Sequence, residues 1–197
     1  LSAERLRKKY LDQLSSDEDR ENFRRYTDTI SKHVKDIGRM VEEFASFARM
    51  PTPSFATHDL RRTLREAVFS AKTAWPKVDF RLNLPEEAVP VAYDERLIAQ
   101  AFTNVLKNAA ESIEAKSEAE PGYKGAVEVQ IAKENERLKV IIDDNGPGFP
   151  PELLPRLTEP YVTTRAKGTG LGLAIVRKQM EEHKGNLILE NRPQGGA

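Results

Sequence analysis

No cysteine occurs among the 197 residues, which excludes disulfides, thiolate catalysis and thiolate-ligated zinc together and suits a reducing compartment. Net charge is missing as well: 31 Lys plus Arg stand against 31 Asp plus Glu. A nucleic-acid coat or an anionic-membrane binder needs excess positive charge, so neither is expected beyond a local basic patch. No apolar run approaches the roughly 18 residues of a membrane span, and the three His lie far apart without metal-ligand spacing. Hydrophobic residues are lean at 39%, a balance that suits an exposed helix pair in part of the chain. The sequence opens at Leu1 with neither an initiator Met nor a signal-peptide pattern, so the expectation is a soluble piece of something longer.

Residues 1–50 are written in helical grammar. Gly38 is the one glycine there, no proline precedes Pro51, and charged residues are dense. From Phe23 onward the apolar positions Phe23, Tyr26, Ile30, Val34, Ile37, Val41, Phe44 and Ala48 advance in steps of three and four, close to a coiled-coil seam. Asp17 or Asp19 is the expected cap of this helix, and Pro51 and Pro53 are its stop. Upstream, Leu6, Tyr10 and Leu14 share one face of a shorter helix. Such a hairpin either covers its neighbour or forms half of a four-helix bundle completed by a second copy of the chain. A long seam on two helices too small to make a core alone favours the bundle.

A linker at 51–57 leads into mixed α/β grammar. The pattern predicts a helix from Asp59 to about residue 74, then a strand over 77–84 with Val78, Phe80, Leu82 and Leu84 on one face. A long helix follows from Asp94 to about residue 116, with Ile98, Phe102, Val105, Ala109 and Ile113 as its buried stripe. Strands over 126–132 and 137–143 make a hairpin. A proline-broken stretch of about twenty residues then marks a functional loop, before a helix over 171–183, with Gly185 past its end, and a strand over 186–190.

Three short signals carry chemistry. Asn104-Val-Leu-Lys-Asn108 puts two carboxamides on one helical face; asparagine is a poor helix-interior residue, and its oxygen is a neutral ligand for Mg²⁺. Two solvated amides are the bland alternative. Asp143-Asp144-Asn145-Gly146-Pro147-Gly148 follows an apolar strand. An Asp at a strand mouth accepts from the exocyclic amine of a base, and the glycines admit a flat ligand close to the backbone; an ordinary Asx turn is the alternative. Gly168-Thr169-Gly170-Leu171-Gly172-Leu173 enters a helix, where free N–H groups form a phosphate cradle and Arg165 and Lys167 add positive charge. It matches neither the Walker A loop nor the Rossmann fingerprint.

In this order, with the proline-rich loop between the second and third, these residues resemble the N, G1, F and G2 boxes of the histidine-kinase ATP-binding domain, of the superfamily shared with type II topoisomerases, Hsp90 and MutL. Glu159-Pro160-Tyr161-Val162-Thr163-Thr164-Arg165 resembles the F box, with Tyr in place of the commoner Phe. The resemblance covers about residues 57–197. Asp36-Ile-Gly-Arg-Met-Val-Glu-Glu-Phe and Phe47-Ala-Arg-Met-Pro51 are similar to nitrogen-regulation sensor kinases of the NtrY type. The implied fold is α+β: a two-layer α/β sandwich of the histidine kinase, Hsp90 and gyrase B type at 58–197, lacking its last strand. A truncated dimerisation and phosphotransfer hairpin at 1–50 precedes it.

The resemblance implies ATP or ADP with Mg²⁺ as ligands. Asn108 would hold the metal, with Asn104 and Lys107 on the same face. Asp144 would take the adenine amine, and Gly146 and Gly148 would wall the base. Residues 149–167 would be a lid whose Thr163, Thr164, Arg165 and Lys167 approach the nucleotide, with Gly168, Thr169, Gly170, Leu171 and Gly172 as hinge and phosphate contact. Asn104 stands where hydrolytic members carry a Glu base, so transfer is expected over hydrolysis. Glu111 stands where many kinases carry a phosphate-contacting Lys. The family's His-Glu-x-x-Asn-Pro phosphoacceptor sequence is absent: His33 lies on the second helix, His58 in the linker region, and His183 in a last helical turn where a cation suits the dipole. No catalytic residue is therefore assigned within the chain, and autophosphorylation is not expected of it. The expected partners are a second copy through the hairpin and a response-regulator receiver of the NtrX type, with no nucleic acid and no direct membrane contact. The expected location is the cytoplasmic part of a membrane-anchored bacterial sensor. The alternatives are a degenerate nucleotide-binding and dimerisation scaffold, motivated by Glu111, and an ATP-hydrolysing clamp, disfavoured by Asn104.

Overall fold

The computed structural model describes residues 2–48, 52–135, 137–165 and 168–197. The chain divides into two compact units, Leu1–Met50 and Pro51–Ala197.

In the first unit α1 (Ser2–Tyr10) and a short 3₁₀ turn lead to α2 (Asp17–Ala48), 32 residues long. The cap is Ser16, one residue before the expected Asp17: its hydroxyl accepts the Asp19 N–H at 3.3 Å, leaving the first-turn carboxylates to act on the helix dipole. Little is buried between the helices; among the described residues of this unit only Ala3 and Thr27 are. The stripe Tyr26, Ile30, Val34, Ile37, Val41 and Phe44 stays 45–60% exposed. The side chain of Ala48 lies outside the described residues, as do Met50 and Pro51.

Among the described residues the second unit contains two small sheets, three α-helices and a 3₁₀ turn at Leu154–Arg156. β1 (Ala56–Asp59) pairs antiparallel with β3 (Pro90–Tyr93). β2 (Asp79–Asn83) runs parallel to β4 (Ala126–Glu134), which pairs antiparallel with β5 (Arg137–Asp144), giving the order β2-β4-β5. α3 (Leu60–Ala74), α4 (Glu95–Ala119) and α5 (Gly172–Glu182) complete the unit. α4 packs against α3, α5 and the three-stranded sheet, and Leu64, Val68, Leu106, Ala110, Val127 and Val129 are fully enclosed between helices and sheet.

The caps fall where the sequence places them. Asp59 accepts from the N–H groups of Arg61 and Val89, and the Arg61 guanidinium beside it holds its carboxyl well below the usual range. Asp94 accepts the Leu97 N–H at 3.1 Å and opens α4. Elsewhere the packing differs from expectation. Leu106, fully buried, replaces half-buried Val105 in the α4 stripe, because a 3.6-residue period drifts across strict 3-4 spacing. Leu82 is 38% exposed, whereas Val78 and Phe80 are buried. Residues 186–190 form no strand. Their alternation survives, with Leu187 and Leu189 half-buried and Ile188 exposed, but they join no ladder, and the Asp144 N–H at the end of β5 goes to the Ala197 carbonyl instead.

His183 also departs from expectation. Its Nε2 accepts the Asp94 backbone N–H at 3.0 Å, so Nδ1 carries the proton and donates to the Gln179 carbonyl at 2.7 Å. This neutral ring ties the end of α5 to the start of α4; it is not a dipole-capping cation.

Candidate functional site

Asp144 ends β5 and is 8% exposed. Its Oδ1 accepts the Gly146 N–H at 2.8 Å, so the Asx turn is real. Burial pushes the Asp144 carboxyl up from its ordinary value, against the opposing pull of the Gly146 and Ala197 backbone and the Arg192 and Arg165 cations. Gly146 is required by space. A Cβ there would lie 2.6 Å from the Ser112 hydroxyl and 2.8 Å from Asp144 Oδ1. Asn145 anchors the turn: its side chain exchanges hydrogen bonds with Ala126 and Lys124, and its carbonyl accepts from Lys116 and Tyr123.

One helical turn toward the amino end of α4 lies a second cluster. Asn108 presents Oδ1 to Arg165 Nη1 at 3.3 Å and its carbonyl to Arg165 Nη2 at 2.6 Å. Arg165 Nη1 also donates to Glu111 Oε2 at 2.5 Å. A Cβ on Gly172 would sit 3.9 Å from Asn108 Nδ2, so the start of α5 faces the same carboxamide. Residue 171 precedes α5 without a side-chain cap, and N–H groups of the first turn therefore remain available to an anion.

The loop between these clusters is pinched at its base. Tyr161 and Gly170 both adopt positive φ (68° and 69°), and the Tyr161 N–H donates to the Gly170 carbonyl at 3.0 Å. A Cβ on Gly170 would meet the Tyr161 backbone at 2.5 Å.

The remaining sequence candidates distribute unevenly. Lys107 pairs with Glu111 at 3.9 Å, and Asn104 lies half-buried one turn earlier. The Thr163 hydroxyl accepts the Arg165 N–H at 3.1 Å, closing a turn in its own loop, and Thr164 is exposed. Gly148 adopts φ +75° beside Asn191, which pins both backbone groups of Phe149. A Cβ on Gly168 would strike the Thr163 hydroxyl at 2.4 Å. The Thr169 hydroxyl accepts the N–H of buried Leu171 at 3.4 Å. Lys167 lies outside the described residues. Sequence reasoning missed Ser112, which extends the row 104, 108 by one further step of four, and Arg192, whose Nη1 reaches the Asp144 carbonyl at 3.5 Å.

The chain is similar to known proteins in sequence and in fold. The profile of the histidine kinase-, DNA gyrase B- and HSP90-like ATPases matches residues 93–197. The nitrogen regulation protein NtrY of Azorhizobium caulinodans is 50% identical over 195 residues, 99% of this chain and 25% of its own length. Our chain thus spans about a quarter of that relative. The catalytic domain of histidine kinase ThkA superposes over 73% of this chain and 91% of its own, with a TM-score of 0.61 and 30% identity. ThkA in complex with the response regulator protein TrrA matches over 93% of this chain and 51% of its own, with a TM-score of 0.70 and 25% identity. With the α+β sandwich, the buried strand-end aspartate and the glycine-led helix all in place, the chain belongs to the histidine kinase-, DNA gyrase B- and HSP90-like ATPase family and is homologous to the ATPase domains of sensor histidine kinases.

Proposed function

We propose that the chain binds ATP and passes its γ-phosphoryl group to a histidine outside this sequence, from which a response-regulator aspartate receives it. The observation that carries this reading is the pairing of two chemistries along one face of α4. Around Ser112 stands a buried carboxylate that can accept from a base amine; around Asn108 stand a carboxamide, a guanidinium and an uncapped helix start. The first suits an adenine amine and the second a polyphosphate.

The donor set fits Mg²⁺ carried in by phosphate. Among the described residues no three His, Cys, Asp or Glu cluster as a metal site, whereas one carboxamide oxygen plus phosphates and water is an ordinary Mg²⁺ environment. Bound at Asn108, the ion would neutralise charge developing on the β- and γ-phosphates. Asp144 orients the base, Gly146 gives it room, and Arg165 with the first turn of α5 grips the phosphates. Asn104 offers no basicity to a water, so the attacking group is a supplied imidazole nitrogen: the new P–N bond forms as the bond to the ADP oxygen breaks.

Dimerisation through the exposed α2 stripe belongs to the same proposal, since that row is apolar, long and uncovered. So do a receiver of the NtrX type as partner and a place on the cytoplasmic side of a membrane-anchored sensor. Among the described residues no helix is long and apolar enough to cross a membrane. Against the scaffold alternative stands the cation that Arg165 brings to Glu111 at 2.5 Å.

Incubated alone with γ-labelled ATP, the chain is expected to take up no acid-labile label; mixed with a segment bearing the His-Glu-x-x-Asn-Pro helix, it is expected to label that segment. No label on the segment, from a folded sample that binds ATP, overturns the kinase reading. Gly170→Ala is expected to weaken ATP binding about tenfold and to lower the urea midpoint, because a positive-φ alanine strains the loop base by roughly 1–3 kcal/mol and its Cβ would meet the Tyr161 backbone at 2.5 Å. Titrations of wild type and variant check this.

A further inference from the structure

Glu111 is an odd neighbour for a polyphosphate. It lies three residues past Asn108 on α4, and its side chain is 34% exposed. A carboxylate this close to several phosphate charges repels them, more strongly in a partly dry cleft than in water. Its place makes sense only through what it holds. Arg165 reaches back across 54 residues of sequence to meet it at 2.5 Å, and Lys107 approaches from the other side at 3.9 Å.

The three Arg165 contacts on α4 are unequal, and the inequality matters. The bonds to Glu111 Oε2 and to the Asn108 carbonyl are short, 2.5 and 2.6 Å, whereas the bond to Asn108 Oδ1 is 3.3 Å. Asn108 Oδ1 can therefore be released to another cation at the loss of the weakest contact only, with the guanidinium still held at two points. Two of the five N–H donors of Arg165 remain after these bonds among the described residues. A planar guanidinium fixed in this way has already given up side-chain freedom it would otherwise lose on meeting a phosphoryl oxygen.

We propose that Glu111 is a positioning residue: it holds Arg165 at the phosphate end of the site, so that the loop supplies the cation that α4 itself lacks. This rests on the ATP reading above. It makes a prediction of sign. A bystander carboxylate only repels phosphate, so its removal tightens binding; a positioning carboxylate acts through Arg165, so its removal weakens binding as long as Arg165 is present.

The test is a double-mutant cycle on the 197-residue chain, titrating MgATP and, separately, adenosine. Glu111→Gln is expected to weaken MgATP binding about tenfold and to leave adenosine binding unchanged, which also shows the fold intact. In an Arg165→Ala background the same change is expected to reverse sign and tighten MgATP binding, since only repulsion remains to be removed. Glu111→Asp, which keeps the charge, is expected to recover much of the loss. Tighter or unchanged MgATP binding by Glu111→Gln with Arg165 present overturns the inference while leaving ATP binding standing. Failure of the wild-type chain to bind MgATP removes both.

Discussion

Asp144→Asn is expected to weaken ATP binding by about 10- to 100-fold, the range for losing a buried hydrogen bond to a charged group. The carboxylate offers acceptors on both oxygens, to the Gly146 N–H, to the Ala197 backbone and to the base amine. Asparagine has a single oxygen, so its NH₂ must face at least one donor that a carboxylate oxygen would have accepted. The substitution is not expected to unfold the protein. Burial raises the Asp144 pKa above its ordinary value, so between that value and the raised one the folded state binds more protons than the unfolded state. Wild-type stability therefore falls as pH rises through that window, and above it the buried charge is a standing penalty. Asp144→Asn removes the penalty. Its urea midpoint at neutral pH is expected to equal or exceed that of wild type, with the difference vanishing below the ordinary carboxylate range. ATP affinity runs the other way in wild type, falling as pH drops through the raised pKa, because a proton on the carboxyl removes an acceptor the base amine needs. Paired urea and nucleotide titrations across pH check both slopes.

Asn108→Ala is expected to act at the other end of the site. It removes the carboxamide oxygen, the one neutral metal ligand proposed here, together with one of the three anchors of Arg165. ATP affinity should then lose its dependence on Mg²⁺, and label transfer to the histidine-bearing segment should fall by about 10²- to 10³-fold, the scale for losing one preorganised charge-stabilising group. Adenosine binding should persist, because Asp144, Gly146 and Ser112 sit one helical turn away. The comparison of adenosine with MgATP separates this from a general loss of fold.

What the sequence disclosed follows from how local each feature is. The caps at Asp59 and Asp94, the hairpin of β4 and β5 and the glycine-led α5 depend on neighbours a few residues away, so propensity and spacing expose them. β1 and β3 were not legible: each has four residues, one contains His and Asp and the other begins with Pro, and they are strands only because they pair with each other across the chain. The end segment 186–190 had the alternation of a strand but no partner to make it one. The same division runs through the site. Asn108, Asp144 and Gly172 belong to local motifs. The Glu111–Arg165 pair joins residues 54 apart, and its only trace in the sequence was an acid where a base was expected. Ser112 was accessible in principle, one more step along the row of Asn104 and Asn108.

The central claim is that the Asp144 and Asn108 clusters are two ends of one nucleotide site. Calorimetric titration of the chain with ATP, with and without Mg²⁺, tests it most directly, with guanosine triphosphate as the reference. The account predicts one ATP per chain, bound more tightly with Mg²⁺ and in clear preference to the guanine nucleotide, whose carbonyl faces Asp144 where adenine presents an amine. A folded chain that binds no ATP, or binds both nucleotides equally, would contradict it.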